Sequence, residues 1–119
     1  MIEEIQVREI LFKEFPEMNI NLGMLSNPNN IYTTIGCFVD FTRNLMNIGN
    51  IKSLKHCLNV AERMLDDGNN IVKNAIENVY VYSLGSVVDL SASTANCLKK
   101  LFNGSLKKEY YRQIFARGV

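Results

Sequence analysis

The segment of residues 51–67 limits the possible folds more than any other part of the chain. Five of its apolar residues are separated by three, four, three and four positions, while the polar residues His56, Asn59, Glu62, Arg63 and Asp66 take the other side. This spacing places the apolar side chains on one face of an α-helix. The segment therefore predicts an amphipathic helix that packs against other elements. The apolar positions of this face are Ile51, Leu54, Leu58, Ala61 and Leu65.

Both ends of this helix carry a glycine followed by an asparagine, at Gly49–Asn50 and at Gly68–Asn69. Glycine readily takes the left-handed conformation that ends many helices, and an asparagine side chain can accept hydrogen bonds from the free amides of the next helix. We therefore predict a positive φ at Gly68 and a cap at Asn69 or Asn70. The two pairs predict tight helical corners.

The segment after the second corner is apolar on almost every side. Its stretch VYVYSL favours a β-strand by composition. However, it continues a helical spacing that starts at Ile71, and no second candidate strand exists to pair with it. We predict a buried central helix. Its apolar positions are Ile71, Val72, Ala75, Ile76, Val79, Tyr80 and Tyr82.

Two helices are predicted before the first corner. The first covers residues 2–15 and ends at Pro16, since proline lacks an amide donor and disfavours helical geometry in the residue before it. The second covers residues 29–48. Its predicted capping residues are Ser26 or Asn27, with Pro28 in its first turn.

After Gly85, a short helix is predicted from Ser91 or Ser93 to Gly104, and a last helix begins with Ser105 as its cap. The predicted fold is all-α, with five to six helices packed as a small HEAT-like stack. Residues 1–119 are expected to form a single domain, which is a usual size for one hydrophobic core.

The charges are unevenly distributed, although the net charge of the 119 residues is only +1. Residues 1–30 and residues 61–98 each carry a net charge of −3, and residues 99–119 carry +5. A basic segment that contains aromatic residues such as Tyr111 can bind single-stranded nucleic acid. With a pI of about 7.7, nucleic-acid binding is the less favoured interpretation.

Residues for catalysis or metal binding are sparse. The single histidine, His56, excludes a site with two histidines, and Cys37, Cys57 and Cys97 lack the spacing of zinc ligands. We expect no enzymatic activity, no bound metal and no cofactor. The acidic start of the chain and the lack of a long apolar segment indicate a cytoplasmic protein without membrane insertion.

The stretches FPEM, FVDFTRNLM and LNVAERMLDDGNNIVKNAIENVYVYSL resemble a family of small all-helical bacterial proteins of uncharacterised or immunity type. The resemblance covers about residues 38–84 and centres on a corner motif that joins two core helices. This chain has Asn69 where an acidic residue usually follows the glycine. The resemblance implies a HEAT-like fold and a gene that often lies beside a toxin gene. The matching positions are Ala61, Glu62, Met64, Leu65, Gly68, Asn69, Val72 and Asn74.

We therefore expect an immunity protein that binds and neutralises a cognate toxin of interbacterial competition. The toxin could be a nuclease domain, because basic nucleases favour an acidic binding surface. A helical adaptor or regulator without a toxin partner is the alternative, and an enzyme or nucleic-acid binder is a third, less favoured class. The residues predicted to contact the partner are Glu62, Asp66, Asp67, Asn69, Asn70, Asn74 and Glu77.

Overall fold

The computed structural model describes residues 1–18, 30–84 and 100–116. Within these ranges the chain forms helices and no β-strand, which confirms the all-α prediction. The short helix predicted from Ser91 or Ser93 falls mostly outside them. The described elements are α1 (Glu4–Glu14), a 3₁₀ turn (Pro16–Met18), α2 (Ile31–Ile48), α3 (Ile51–Asp67), α4 (Asn70–Ala75), a π-helix that continues α4 (Ile76–Val81) and α5 (Gly104–Ala116).

The boundaries of α1 and α2 follow from local sequence signals. Helix α1 ends before Pro16, as predicted. The start of α2 differs from the prediction, because the capping residue is Asn30 and not Ser26 or Asn27. The Asn30 side chain accepts hydrogen bonds from the amides of Tyr32 (2.9 Å) and Thr33 (3.3 Å).

The corner between α2 and α3 has the predicted geometry. Gly49 has a φ of 73° and lies in the left-handed region, where side chains are disfavoured. The Asn50 side chain accepts from the Ser53 amide at 3.2 Å. Helix α3 has the predicted bounds, but Ile51 at its start is 45% exposed and lies outside the core.

The corner between α3 and α4 is built differently from the prediction. Gly68 is extended, with a φ of −72°, so the predicted positive φ is wrong. Glycine is required there for space, because a Cβ atom would lie 2.6 Å from Val72 Cγ1 and would overlap the Met64 carbonyl oxygen. The N-terminal segment pairs with this corner. The Ile2 amide donates to the Asp67 oxygen (2.7 Å), and the Asn69 amide donates to the Ile2 oxygen (2.8 Å).

The predicted central helix is the centre of the fold, and it becomes a π-helix over residues 76–81. The π-helix contacts α2, α3, α4 and α5. Tyr80 is fully buried, its ring stacks on Phe38 with a centroid distance of 4.7 Å, and its hydroxyl lies 3.0 Å from Thr42 Oγ1. Ile71 and Tyr82 are 47% and 54% exposed, contrary to the prediction, because neighbouring helices cover only one side of this element.

Candidate protein-binding surface

Helix α5 is held at its N-terminus by two carboxylates of α3. The Ser105 amide donates to Glu62 Oε1 at 3.1 Å, and the Ser105 hydroxyl donates to Asp66 Oδ1. Carboxylates at this position satisfy an orphan amide and interact favourably with the helix dipole. The prediction that Ser105 caps its own helix is wrong, since α5 begins at Gly104 and a residue 43 positions away binds its amide. Two of the predicted partner-binding side chains are thus already bonded within the chain.

The Glu62 contact gives a testable prediction. Glu62→Ala should lower the free energy of unfolding by about 1 kcal/mol, the usual cost of losing a helix cap, and should speed hydrogen exchange in the first turn of α5. Glu62→Gln keeps an acceptor oxygen and should lose less, which separates the hydrogen bond from the charge. Unchanged exchange at Ser105 in Glu62→Ala would show that this cap contributes nothing.

The Ile2 pairing brings a second acidic segment to the Gly68 corner. Glu3 and Glu4 directly follow Ile2, and they therefore lie beside the end of α3, where Asp66 and Asp67 are exposed. We call these four residues, Glu3, Glu4, Asp66 and Asp67, the acidic corner. Sequence reasoning missed Glu3 and Glu4, although the charge of the N-terminal segment was a signal.

Asn69 joins the two halves of the acidic corner. Its side-chain oxygen accepts from the Val72 amide at 3.0 Å, which confirms the predicted cap of α4. Its side-chain nitrogen donates to Glu4 Oε1 at 2.5 Å. That hydrogen bond is the main cause of a lowered pKa for Glu4, so this carboxylate remains ionised over a wider pH range.

The other predicted side chains separate onto two surfaces. Asn70 and Asn74 are exposed, and Asn78 and Tyr82 continue the same exposed side at every fourth position. We call this set the exposed α4 face; it carries no charged residue. Glu77 is half-buried and lines a groove of about 360 Å³ between α3, α4, the π-helix and α5, and Asp66 of the acidic corner lines the same groove.

This second surface, the charged groove, combines residues of both signs. Arg112 Nε donates to Glu109 Oε1 at 2.8 Å, and this bond is the main cause of a lowered pKa for Glu109. Burial, followed by repulsion from Glu109, raises the pKa of Glu77. Gln113 Nε2 bridges the two elements by donating to the Glu77 backbone oxygen and to Glu109 Oε2, both at 2.7 Å.

The two glutamates should respond to pH in opposite directions. Glu109 has a folded pKa below its unfolded value, so it stabilises the fold above the unfolded pKa, and this stabilisation is lost as the pH falls through the folded pKa. Glu77 has a raised folded pKa, so its ionised form costs stability above that pKa, and the cost disappears below the unfolded value. The relevant window lies around the ordinary glutamate pKa of about 4.3.

At about pH 7, Glu77→Gln should therefore raise the melting temperature and Glu109→Gln should lower it. The loss in Glu109→Gln should correspond to about 1 kcal/mol of unfolding free energy. Thermal unfolding followed by circular dichroism at about pH 7 and about pH 3 checks both variants, and the two differences should become smaller at the lower pH. A destabilised Glu77→Gln variant at neutral pH would contradict the assignment.

The sulfur and imidazole groups lie apart from the acidic corner. His56 Nε2 is 3.4 Å from Glu14 Oε2, and its ring packs 4.8 Å from the ring of Phe15. Cys57 is buried, and burial raises the pKa of its thiol to about 12. Cys97 falls outside the described residues. Among the residues described, no three histidine, cysteine or acidic side chains come together in a way that could hold a metal ion.

In the basic C-terminal segment, the aromatic side chains that the structure describes face mainly the protein; they are those of Phe102, Tyr110 and Tyr111. Tyr110 is buried, and its ring packs on Phe102 at 4.8 Å and on Tyr111 at 5.6 Å. Lys107 and Lys108 are exposed. None of the helices described here is both long and apolar enough to span a membrane.

Comparison with known proteins identifies one family. A family model described as a domain of unknown function (DUF7674) matches residues 8–116, which include all the described helices from the middle of α1 onwards. Residues 1–7, with Glu3 and Glu4 of the acidic corner, precede the matched region. No curated protein and no solved structure matches the chain.

Proposed function

The chain belongs to the DUF7674 family, and we propose that this member is an immunity protein that binds and neutralises a cognate toxin through the acidic corner. The observation that carries the proposal is the pairing of Ile2 with the Gly68 corner, because it brings the backbone of Glu3 and Glu4 beside the end of α3, which carries Asp66 and Asp67. The resemblance of residues 38–84 to small helical proteins of uncharacterised or immunity type is compatible with the same interpretation.

The charge of the corner suits a basic partner. Glu3, Asp66 and Asp67 are exposed, and the hydrogen bond from Asn69 lowers the pKa of Glu4. A surface of one sign speeds association with a partner of the opposite sign and excludes partners of the same sign. A nuclease domain presents a basic surface to its nucleic-acid substrate, so an acidic protein bound there would block the substrate directly.

The exposed α4 face favours a second candidate function, that of a helical adaptor or regulator. Its Asn74 and Asn78 amides can form hydrogen bonds with any polar partner, and the half-exposed ring of Tyr82 is a residue type enriched among binding hot spots. A partner that binds this uncharged face would be insensitive to changes at the acidic corner. Mutations on the two surfaces therefore distinguish the candidates.

The immunity function predicts a toxin domain encoded beside the gene, and the direct test uses that domain. Equimolar addition of the purified chain should abolish the toxin's activity, and the two proteins should co-elute in size-exclusion chromatography. At about 1 μM of each protein, a dissociation constant in the micromolar range or tighter would be detected. A toxin that remains fully active and unbound under these conditions would contradict the immunity function.

A charge substitution at the corner gives a sharper prediction. Asp67→Asn removes an exposed carboxylate and should weaken toxin binding about fivefold to tenfold at low salt, as expected for one lost interfacial charge. It should also stabilise the free protein by up to about 0.5 kcal/mol, because a negative charge at a helix C-terminus is unfavourable. Calorimetric titration and thermal unfolding measure the two effects.

Asp40→Asn is the matched control, since Asp40 is an exposed aspartate in the middle of α2 and lies outside the corner. It should leave the affinity unchanged. If the two variants lose affinity equally, the contribution of charge is not localised at the acidic corner.

A further inference from the structure

A groove of about 740 Å³ lies between α1 and the start of α2. It extends to Asn69, which is hydrogen-bonded to Glu4 of the acidic corner. Its volume falls within the range of protein binding pockets, about 300–1,000 Å³. Glu3 and Glu4 line both this groove and the corner. We call it the α1 groove, and it continues the surface on which the proposed function depends.

The apolar side chains of the α1 groove come from both helices. Ile5 and Phe12 are two helical turns apart on α1, and Ile31 is the first residue of α2. Ile5 is 71% exposed, while Val7 and Leu11 on the opposite side of α1 are fully buried. Helix α1 therefore has a core-facing side and a second side on which Ile5 borders open space, while Phe12 is partly buried and Ile31 of α2 is only 7% exposed at the base of the groove.

Charged groups surround this apolar surface, and most of them are acidic. Glu3, Glu4 and Glu9 line the groove together with one basic residue, Arg8, whose guanidinium lies 5.0 Å from the centroid of the Phe12 ring. These four side chains have a net charge of −2. The apolar centre and acidic rim complement an amphipathic segment whose apolar side chains are flanked by lysine or arginine.

We propose that the α1 groove receives a basic amphipathic segment of the toxin, with one apolar anchor placed against Ile5, Phe12 and Ile31. This inference rests on the proposed function and adds the chemistry of the contact. The acidic corner attracts the partner over a distance, and the groove supplies the apolar burial that slows its dissociation. One or two helical turns of the partner fit a space of this size.

The test compares Ile5→Lys with Ile48→Lys, using the neighbour-encoded toxin domain as the probe. Both isoleucines are largely exposed, at 71% and 66%, so neither substitution should disrupt the fold. Ile5→Lys introduces a positive charge into the groove and removes an apolar contact with the partner. It should weaken binding at least about tenfold, mainly through faster dissociation. Ile48→Lys carries the same change outside the groove and should bind like the wild type.

Methyl-labelled NMR supplies an independent measurement on the unmodified protein. Addition of the toxin domain should shift the methyl resonances of Ile5 and Ile31 and leave that of Ile48 in place.

The combined outcomes separate the two proposals. Suppose that the toxin binds and that Asp67→Asn weakens this binding. If Ile5→Lys then binds normally and the Ile5 methyl resonance does not shift, the groove proposal is wrong and the proposed function stands. If the wild-type protein does not bind the toxin, both proposals fail. A concentration-dependent dimer that Ile5→Lys abolishes would assign the groove to self-association instead.

Discussion

Tyr80→Ala is expected to lower the free energy of unfolding by about 3–5 kcal/mol, the range for removing a large buried aromatic side chain. Tyr80 lies at the centre of the fold, fully buried and stacked on Phe38. Single domains are typically stable by about 5–15 kcal/mol, so this variant should be only marginally folded at room temperature. Urea unfolding followed by circular dichroism measures the loss.

Two further variants separate the contributions of Tyr80. Tyr80→Phe retains the ring and removes the hydroxyl that lies 3.0 Å from Thr42 Oγ1, and it should cost about 1 kcal/mol. The cost is limited because Thr42 Oγ1 also donates to the Phe38 oxygen at 2.8 Å. Tyr82→Ala removes the same residue type from the exposed side of the same helical segment, and its effect should be within about 0.5 kcal/mol. Equal losses in Tyr80→Ala and Tyr82→Ala would contradict the burial of Tyr80.

Gly68→Ala is expected to destabilise the protein by about 1–3 kcal/mol, the usual cost of overpacking. The backbone at Gly68 is in a region open to alanine, with a φ of −72°, so the cost comes only from the contact of the new methyl group with Met64 and Val72. The pairing with Ile2 limits movement of the corner away from that contact. Hydrogen exchange at the Ile2 and Asn69 amides should accelerate if the corner shifts.

Gly36→Ala is the matched control, because a Cβ atom there meets no atom within 4 Å and the residue lies inside α2. Alanine is favoured over glycine in a helix by about 0.5–1 kcal/mol, so the control should be more stable than the wild type. Opposite signs for the same substitution test the packing at the corner. If Gly68→Ala is as stable as Gly36→Ala, the corner has room for a methyl group, and the close packing around Gly68 is contradicted.

The sequence predicted those elements whose signals are local. Helix α3 has the predicted bounds because its apolar spacing lies within the segment and the left-handed Gly49 and the Asn50 cap directly precede it. The helical state of residues 76–81 followed from continuity with Ile71. The π-helical form was not predicted from the sequence.

The candidate site was predictable only in part, because contacts between distant segments form it. The acidic residues of α3 were visible in the sequence, whereas the Ile2 pairing that brings Glu3 and Glu4 beside them crosses more than 60 positions. The same reason explains Glu62, whose partner is the Ser105 amide. Local patterns identify helices and caps, and they carry no information on which distant amide a carboxylate will bind.

The salt dependence of toxin binding tests the central claim most directly. At about 0.1 M salt the Debye length is about 10 Å, and at about 1 M it is about 3 Å, so the higher concentration screens the exposed acidic corner. We expect the affinity of the wild-type protein for the neighbour-encoded toxin domain to fall at least about tenfold between these two conditions, chiefly through slower association. An affinity and an association rate that are the same at both concentrations would contradict recognition through the acidic corner.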